Sequence, residues 1–267
     1  MKNLGIIAGN GDFPLLVAKG AKQKGIKQVV VAAITGETKE SIELVADVVV
    51  WVEVGQLSQM IHFFKKNGCE SIVMAGQVTP TKLFSKLKLD LRMAKLMSEV
   101  KYRGAAPLFG TIAEELAKNG LTILDSTSFI RDQLADEGCM TEKKPLPAQL
   151  AEIEKGRQLA KSIADLDIGQ TIAIKEGSVV AVEAIEGTNE TIKRAGSLAG
   201  PGIIVLKVSK TRQDKRFDFP VIGIETIKVL HEAGAAVLVV DKEGAIILNK
   251  PEVIKLSNEL GIILMGL

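Results

Sequence analysis

Over the first half of the chain, runs that are apolar throughout alternate with amphipathic stretches. Residues 3–8, 29–34, 47–52, 71–76 and 121–125 read as strands, and residues 14–24, 38–45, 56–66, 108–118 and 127–136 as helices. Strands without polar alternation are those buried on both faces, so the pattern predicts a parallel sheet covered by helices. This is a Rossmann-like domain, expected over residues 1–137. Periodicity then fails over residues 138–147, where Pro145 and Pro147 stand among charged residues, and this stretch is expected to be an interdomain linker. Residues 148–267 open with a helix at 148–164, followed by two β-rich runs around Glu176-Gly177 that read as a hairpin. Further helices at 189–196, 223–232 and 251–259, and strands at 202–208, 235–240, 245–248 and 261–265, complete an α/β domain. Residues 235–240 and 245–248 form a second hairpin-like piece, and the two pieces together imply a mixed sheet.

One amphipathic stretch differs in charge. Between Lys82 and Arg103 lie seven basic residues against Asp90 and Glu99, with Phe84, Leu87, Leu91, Ala94 and Met97 at helical spacing. A basic amphipathic helix either lies on an anionic membrane surface or packs on its own domain with a solvated basic face.

The rest of the composition narrows the function classes. With 46% hydrophobic and 25% charged residues, the 267-residue chain is globular, and its net charge of +2 lacks the bulk basicity of a nucleic-acid binder. The N-terminal apolar run is too short for a signal peptide, and no window approaches the about 18 apolar residues of a membrane span, so a cytoplasmic protein is expected. Cys69 and Cys139 are isolated thiols, and His62 and His231 have no second histidine at ligand spacing. Zinc, Ser-His and Cys-His chemistry are therefore disfavoured. Carboxylates, lysines and arginines remain, an inventory suited to phosphate chemistry with a hard cation.

Those residues concentrate in one loop. From Lys207 to Asp218 the chain carries Lys207, Lys210, Lys215, Arg212, Arg216, Asp214, Asp218 and Gln213, with Phe217, Phe219 and Pro220 to pin the backbone. Such a density of charge between a strand and a helix is that of a reactive loop on a rigid scaffold. Two further turns follow predicted strands, Gly9-Asn10-Gly11 and Gly76-Gln77, where ligands of parallel sheets bind. The first holds only part of a dinucleotide fingerprint, because Pro14 stands where the third glycine would be; Asp12 is expected to cap the helix that follows.

The segment Gln213-Asp214-Lys215-Arg216-Phe217-Asp218-Phe219-Pro220-Val221-Ile222-Gly223 resembles the Gln-Asp/Glu-x-Arg-x-Asp-x-Pro-x-x-Gly element of the LpxI-type UDP-2,3-diacylglucosamine pyrophosphatases. Residues 5–14, 74–78, 166–188 and 205–210 are similar to segments of the same family. The resemblance implies magnesium-dependent hydrolysis of a lipid-linked UDP-sugar in lipid A synthesis. It places Asp218 in catalysis, with Arg216 and Gln213, and Lys207 and Lys210 on phosphate and uridyl groups. Gly9, Asn10, Gly11, Gly76, Gln77, Gly187 and Thr188 are expected to bind substrate, and Asp218, Glu183, Glu186 and Asp214 to hold Mg2+. Each of Glu183 and Glu186 can equally be a solvated carboxylate at a strand end. A peripheral contact with the inner membrane and a homodimer are the partners left open, with no nucleic acid.

The chain departs from the family at Ala105 and Ala106, where many relatives have two aspartates after a glycine, and at Asn189, where many have Asp. A non-catalytic nucleotide- or lipid-binding relative is therefore one alternative. A nicotinamide dehydrogenase is another, although Ala33-Ile34-Thr35 stands where an acidic residue would end the second strand.

Overall fold

The computed structural model describes residues 1–78, 89–99 and 105–267. By contacts the chain forms two units: Met1–Arg131 with Lys215–Asp218, and Asp132–Asp214 with Phe219–Leu267.

The first unit is built on five parallel strands, β1 (Asn3–Ala8), β2 (Gln28–Ile34), β3 (Val48–Val52), β4 (Ser71–Ala75) and β5 (Thr122–Ile123), in the order β3-β2-β1-β4-β5. Residues 29–33 of β2 are wholly buried, which is why that strand carries no polar alternation. Helices Phe13–Gln23, Leu57–Lys66, Leu91–Glu99 and Ala105–Lys118 accompany the sheet. The order reverses between β1 and β4, the switch point at which open α/β sheets place their ligands.

Local chemistry altered three of the expected elements here. Residues 38–45 form a short 3-10 helix, Glu40–Leu44, instead of an α-helix. Residues 127–136 contain only a one-turn 3-10 helix at Arg131–Gln133. The Asp125 carboxylate accepts from the Thr127 N–H (2.8 Å) and hydroxyl (2.6 Å), and the Ser128 hydroxyl donates to Asp125 O (2.6 Å). Side-chain bonds of this kind compete with helix formation. Asp12 makes no capping bond and pairs with Lys39 at 2.5 Å.

The basic stretch is described only in part. Asp90 caps helix Leu91–Glu99, accepting from the Met93 N–H at 2.8 Å. Met93 and Leu96 are buried and Met97 packs partly against the same core, whereas Leu91 is 93% exposed, so of the expected stripe only Met97 is kept on this helix. Lys82, Lys86, Lys88, Lys101, Arg103 and Gly104 lie outside the described residues.

The second unit has a mixed six-stranded sheet: β6 (Gly138–Cys139), β7 (Thr171–Lys175), β8 (Ser178–Val182), β9 (Ile204–Lys207), β11 (Val237–Val240) and β13 (Ile263–Gly266), in the order β6-β13-β11-β9-β7-β8. Strands β9, β11 and β13 are parallel; β6, β7 and β8 join antiparallel. The β7–β8 hairpin turns at Glu176 (φ 49°) and Gly177 (φ 75°), both left-handed as a two-residue hairpin loop requires. Alternate residues of β9 and β11 enter two cores. Ile204, Leu206, Val237 and Val239 pack with Ile153, Ala160 and Ala164 of helix Pro147–Asp165. Val205, Leu238 and Val240 pack with Ile192, Ile227, Leu230 and Val253 of helices Thr188–Ala199, Ile224–Glu232 and Lys250–Glu259. The chain is thus α/β, with a parallel sheet followed by a mixed one.

Two expectations fail in the second unit. The second hairpin-like piece is not a hairpin: β12 (Ile246–Ile247) leaves β11 and pairs in parallel with β10 (Val221–Ile222). Residues 138–147 lie inside the unit. Their strand β6 pairs with β13, the Leu264 N–H donates to Thr141 Oγ1 (3.1 Å), and the Glu142 N–H donates to Asn258 Oδ1 (2.9 Å). The stretch lacks periodicity because its partners are 116 and 123 residues away.

Candidate active site

In the first unit the two glycine turns meet at the switch point. The Gly9 N–H donates to Ala75 O (2.8 Å), the Asn10 N–H to Gln77 O (2.7 Å), and Asn10 and Gln77 form a bridge. Side chains are excluded on both sides. A Cβ on Gly9 would collide with Gln77 O, and one on Gly76, where φ is 88°, would stand 2.5 Å from Asn10 O. These two N–H groups are committed to β4 and the turn after it, so Gly9 and Asn10 do not offer those amides to a phosphate. Gly11, with φ 88° and open space around it, faces no such crowding.

The loop after β9 is divided between the units. Its beginning is clamped to helix Pro147–Asp165 and the turn that follows it. The Thr211 N–H and hydroxyl donate to Asp165 (2.7 and 2.6 Å), and Lys210 Nζ pairs with Asp167 at 2.5 Å. The two bonds from Thr211, side chain first, hold the Asp165 carboxyl below its usual range. The Lys210 N–H donates to Gln213 Oε1 (2.6 Å), and Gln213 Nε2 is buried with no hydrogen-bond partner among the described residues. Asp214 also belongs to the second unit, whereas Lys215–Asp218 belong to the first. There, Lys215 O accepts from the Ser126 N–H (2.9 Å) and hydroxyl (3.1 Å). Phe217 packs on Phe109, ring centroids 5.7 Å apart, and the Arg216 guanidinium lies 5.5 Å from the Phe217 ring centre. The aromatic residues thus pin the tip that carries Arg216 and Asp218.

Lys207 ends β9 and is only 7% exposed. Its Nζ donates to Thr188 Oγ1 (2.6 Å), and the Thr188 hydroxyl donates to Glu183 Oε1 (2.9 Å). Burial pushes the Lys207 ammonium below its usual pKa, and Glu183 works in the opposite direction. Gly187 (φ 82°) precedes helix Thr188–Ala199, in whose first turn Asn189 sits. Glu186 accepts from the Ala184 N–H (3.1 Å), Thr191 hydroxyl (3.2 Å) and Arg194 guanidinium (2.8 Å). Bonds from backbone N–H and from Arg194 keep its carboxyl ionised below the ordinary range.

No group of three or more His, Cys, Asp or Glu side chains among the described residues could hold a metal ion. Glu183 and Glu186 already receive hydrogen bonds from their own segment, and Asp214 and Asp218 are allotted to different units. A hard cation that keeps most of its water and takes one carboxylate plus substrate phosphates needs no preformed cage. Cys69 is buried, which pushes its thiol pKa up to about 11 and makes it inert.

Sequence reasoning missed a cluster at the carboxyl ends of β9 and β11. Asp241, 4% exposed, accepts from Lys161 Nζ (2.5 Å), the Ser209 N–H (2.7 Å), the Ser209 hydroxyl (2.8 Å) and Arg157 Nη2 (3.2 Å). Burial opposes its ionisation, but the bonds from Lys161 and Ser209 outweigh it and hold the carboxyl below its usual range. An acidic residue closing a parallel strand was the one available signal.

These features define a two-unit α/β protein whose charged and polar residues gather beyond the carboxyl ends of parallel strands. Residues 3–133 match the LpxI N-terminal domain and residues 136–265 the LpxI C-terminal domain. The chain belongs to the LpxI family. It is similar to the UDP-2,3-diacylglucosamine pyrophosphatase LpxI of Caulobacter vibrioides, 28% identical over 280 aligned positions covering 100% of this chain and 98% of the relative. Among solved structures, it shows a likeness to an ADP complex of N5-carboxyaminoimidazole ribonucleotide synthetase (14% identity, TM-score 0.28, 76% of this chain and 46% of that one). Another is gox2253 (9% identity, TM-score 0.32, 100% of this chain and 89% of that one). At such TM-scores neither likeness bears on the fold.

Proposed function

We propose that this chain hydrolyses the pyrophosphate of UDP-2,3-diacylglucosamine, releasing UMP and 2,3-diacylglucosamine 1-phosphate in lipid A synthesis. The observation that carries the reading is the match of both LpxI domains across the chain, with a relative of that activity aligned over 98% of its length. The residue inventory supports it, since the loop from Lys207 to Asp218 supplies carboxylates, cations and an amide without a nucleophilic Cys or Ser triad. Water attacks a phosphorus; Asp218 takes or orients the water proton, and Arg216 and Lys210 offset the charge that develops on phosphate oxygens. Gln213 Nε2, which has no partner among the described residues, offers a donor to an oxygen of the substrate. Magnesium belongs to the proposal as a cation carried on the phosphates with Asp218 as its protein ligand, and it would lower the charge that water meets. The catalytic setting proposed is the cytoplasmic face of the membrane. Among the described residues no helix is long and apolar enough to cross a membrane, and the basic stretch 82–103 supports peripheral contact.

The test is UMP release from UDP-2,3-diacylglucosamine with and without magnesium. Release that requires the ion supports the whole reading, and release indifferent to chelation removes the metal. Ala105, Ala106 and Asn189 favour the second reading, a binding relative, which would hold the substrate intact with no UMP formed.

A further inference from the structure

We propose that Asp241, acting with Lys161, is the positioning centre of the loop that carries Lys210 and Gln213, a role resting on the activity proposed above. The Asp241 carboxylate joins two neighbouring parallel strands at their carboxyl ends, because β11 runs directly into Asp241 and β9 into Ser209 two residues beyond Lys207. One of its oxygens accepts from the Ser209 N–H and hydroxyl and from Lys161, and the other accepts from Arg157 Nη2. Lys161 in turn donates to Ser209 O at 2.8 Å, so Ser209 is held by its N–H, its hydroxyl and its carbonyl. Gly244 has no room for a side chain: a Cβ there would stand 2.8 Å from the Asp241 Cβ and 3.0 Å from Ser209 Oγ. The site is thus shaped around this contact.

Three successive amides of the loop end on side-chain acceptors: Ser209 on Asp241, Lys210 on Gln213 and Thr211 on Asp165. No regular ladder holds them, so the direction of Lys210 and Gln213 is set by these side chains. Asp214 is the last residue before the chain passes to the other unit, which makes 209–213 the stretch the second unit must fix by itself. A buried ion pair adds little net stability compared with apolar packing, whereas it fixes geometry closely. Orientation is therefore the gain from pairing the buried Asp241 with the half-buried Lys161.

The experiment compares the full-length protein with Lys161→Met, Lys161→Arg and Lys250→Met. The last is a control lysine of the same unit, which pairs with the exposed Asp136 at 2.7 Å and donates to Leu134 O, with no bond to residues 209–213 among those described. Amide hydrogen exchange needs no substrate and reads the clamp directly. Lys161→Met is expected to accelerate exchange at residues 209–211 by about tenfold or more relative to the strands of the same unit. It is also expected to lower kcat for UDP-2,3-diacylglucosamine by about tenfold or more while KM changes less, because misplaced groups cost rate more than binding. Lys161→Arg should recover most of both, and Lys250→Met should change neither. Exchange that rises uniformly over the unit, or a wild-type kcat in Lys161→Met, would overturn the proposal. Should Lys161→Met fail to fold, Ser209→Ala removes one donor alone and is read the same way. If the wild-type protein forms no UMP, the proposed activity fails, and exchange at 209–211 by itself decides whether the clamp exists.

Discussion

Gly9 and Gly76 each occupy a place that the backbone of the other's turn leaves no room to fill. Gly9 is crowded by Gln77 O and Gly76 by Asn10 O, across the point where the strand order reverses. The approach lets Asn10 and Gln77 pair at the carboxyl edge of the first unit's sheet.

Alanine at either position should therefore lower the stability of the first unit by about 2–4 kcal/mol, through collision at Gly9 and through collision with added strain at Gly76, where φ is 88°. Gly11→Ala supplies the comparison, since φ is 88° there but nothing lies within 4 Å of the new Cβ, and about 1–2 kcal/mol of backbone strain remains. Denaturant titration of the three variants checks the order. Equal losses at all three would show that the close approach is not felt.

Asp218→Asn preserves volume and removes charge at a tip pinned by Phe217 on Phe109. If the carboxylate acts in the transition state, kcat should fall by at least about 100-fold while substrate still binds and the fold persists. Steady-state kinetics with circular dichroism checks both parts. Undiminished turnover would take Asp218 out of the mechanism.

The Asp241 carboxyl is held below its usual range when folded, so its ionised form stabilises the native state. That contribution is fully present above the unfolded value of about 3.9 and is lost as pH falls through the lower folded pKa. The stability difference between wild type and Asp241→Asn should accordingly be largest above pH about 4 and shrink below it. Urea unfolding across this range is the measurement, and a difference independent of pH would contradict the assignment.

Limited proteolysis of the folded protein should spare residues 138–147, because β6 is paired and Thr141 and Glu142 are bonded to Leu264 and Asn258. Cleavage there ahead of any other site would restore the stretch to the role of a linker.

The loop from Lys207 to Asp218 was legible as a segment outside the hydrophobic core because charge so dense cannot serve a core. The glycine turns were legible as strand-to-helix junctions, although their mutual pairing was not. Residues 127–136 carry helix-forming side chains, yet Asp125 captured the first turn through its own neighbours. Lys207 looked like a phosphate ligand, and tertiary packing gave it Thr188, 19 residues away.

The apolar strands, their alternation with helices and the Glu176-Gly177 turn were determined by the sequence alone, because each depends on side-chain period or backbone freedom within a few residues. The tertiary structure alone decided that β6 pairs with β13, that β12 leaves β11 for β10, and that Lys215–Asp218 belong to the first unit. It alone also brought Asp241 to Ser209 and Lys161, 32 and 80 residues away. An aspartate after six apolar residues has the same local pattern whether it ends in water or in an ion pair. Only the folding of distant segments onto one sheet edge removes the water and supplies the donors that settle which it is.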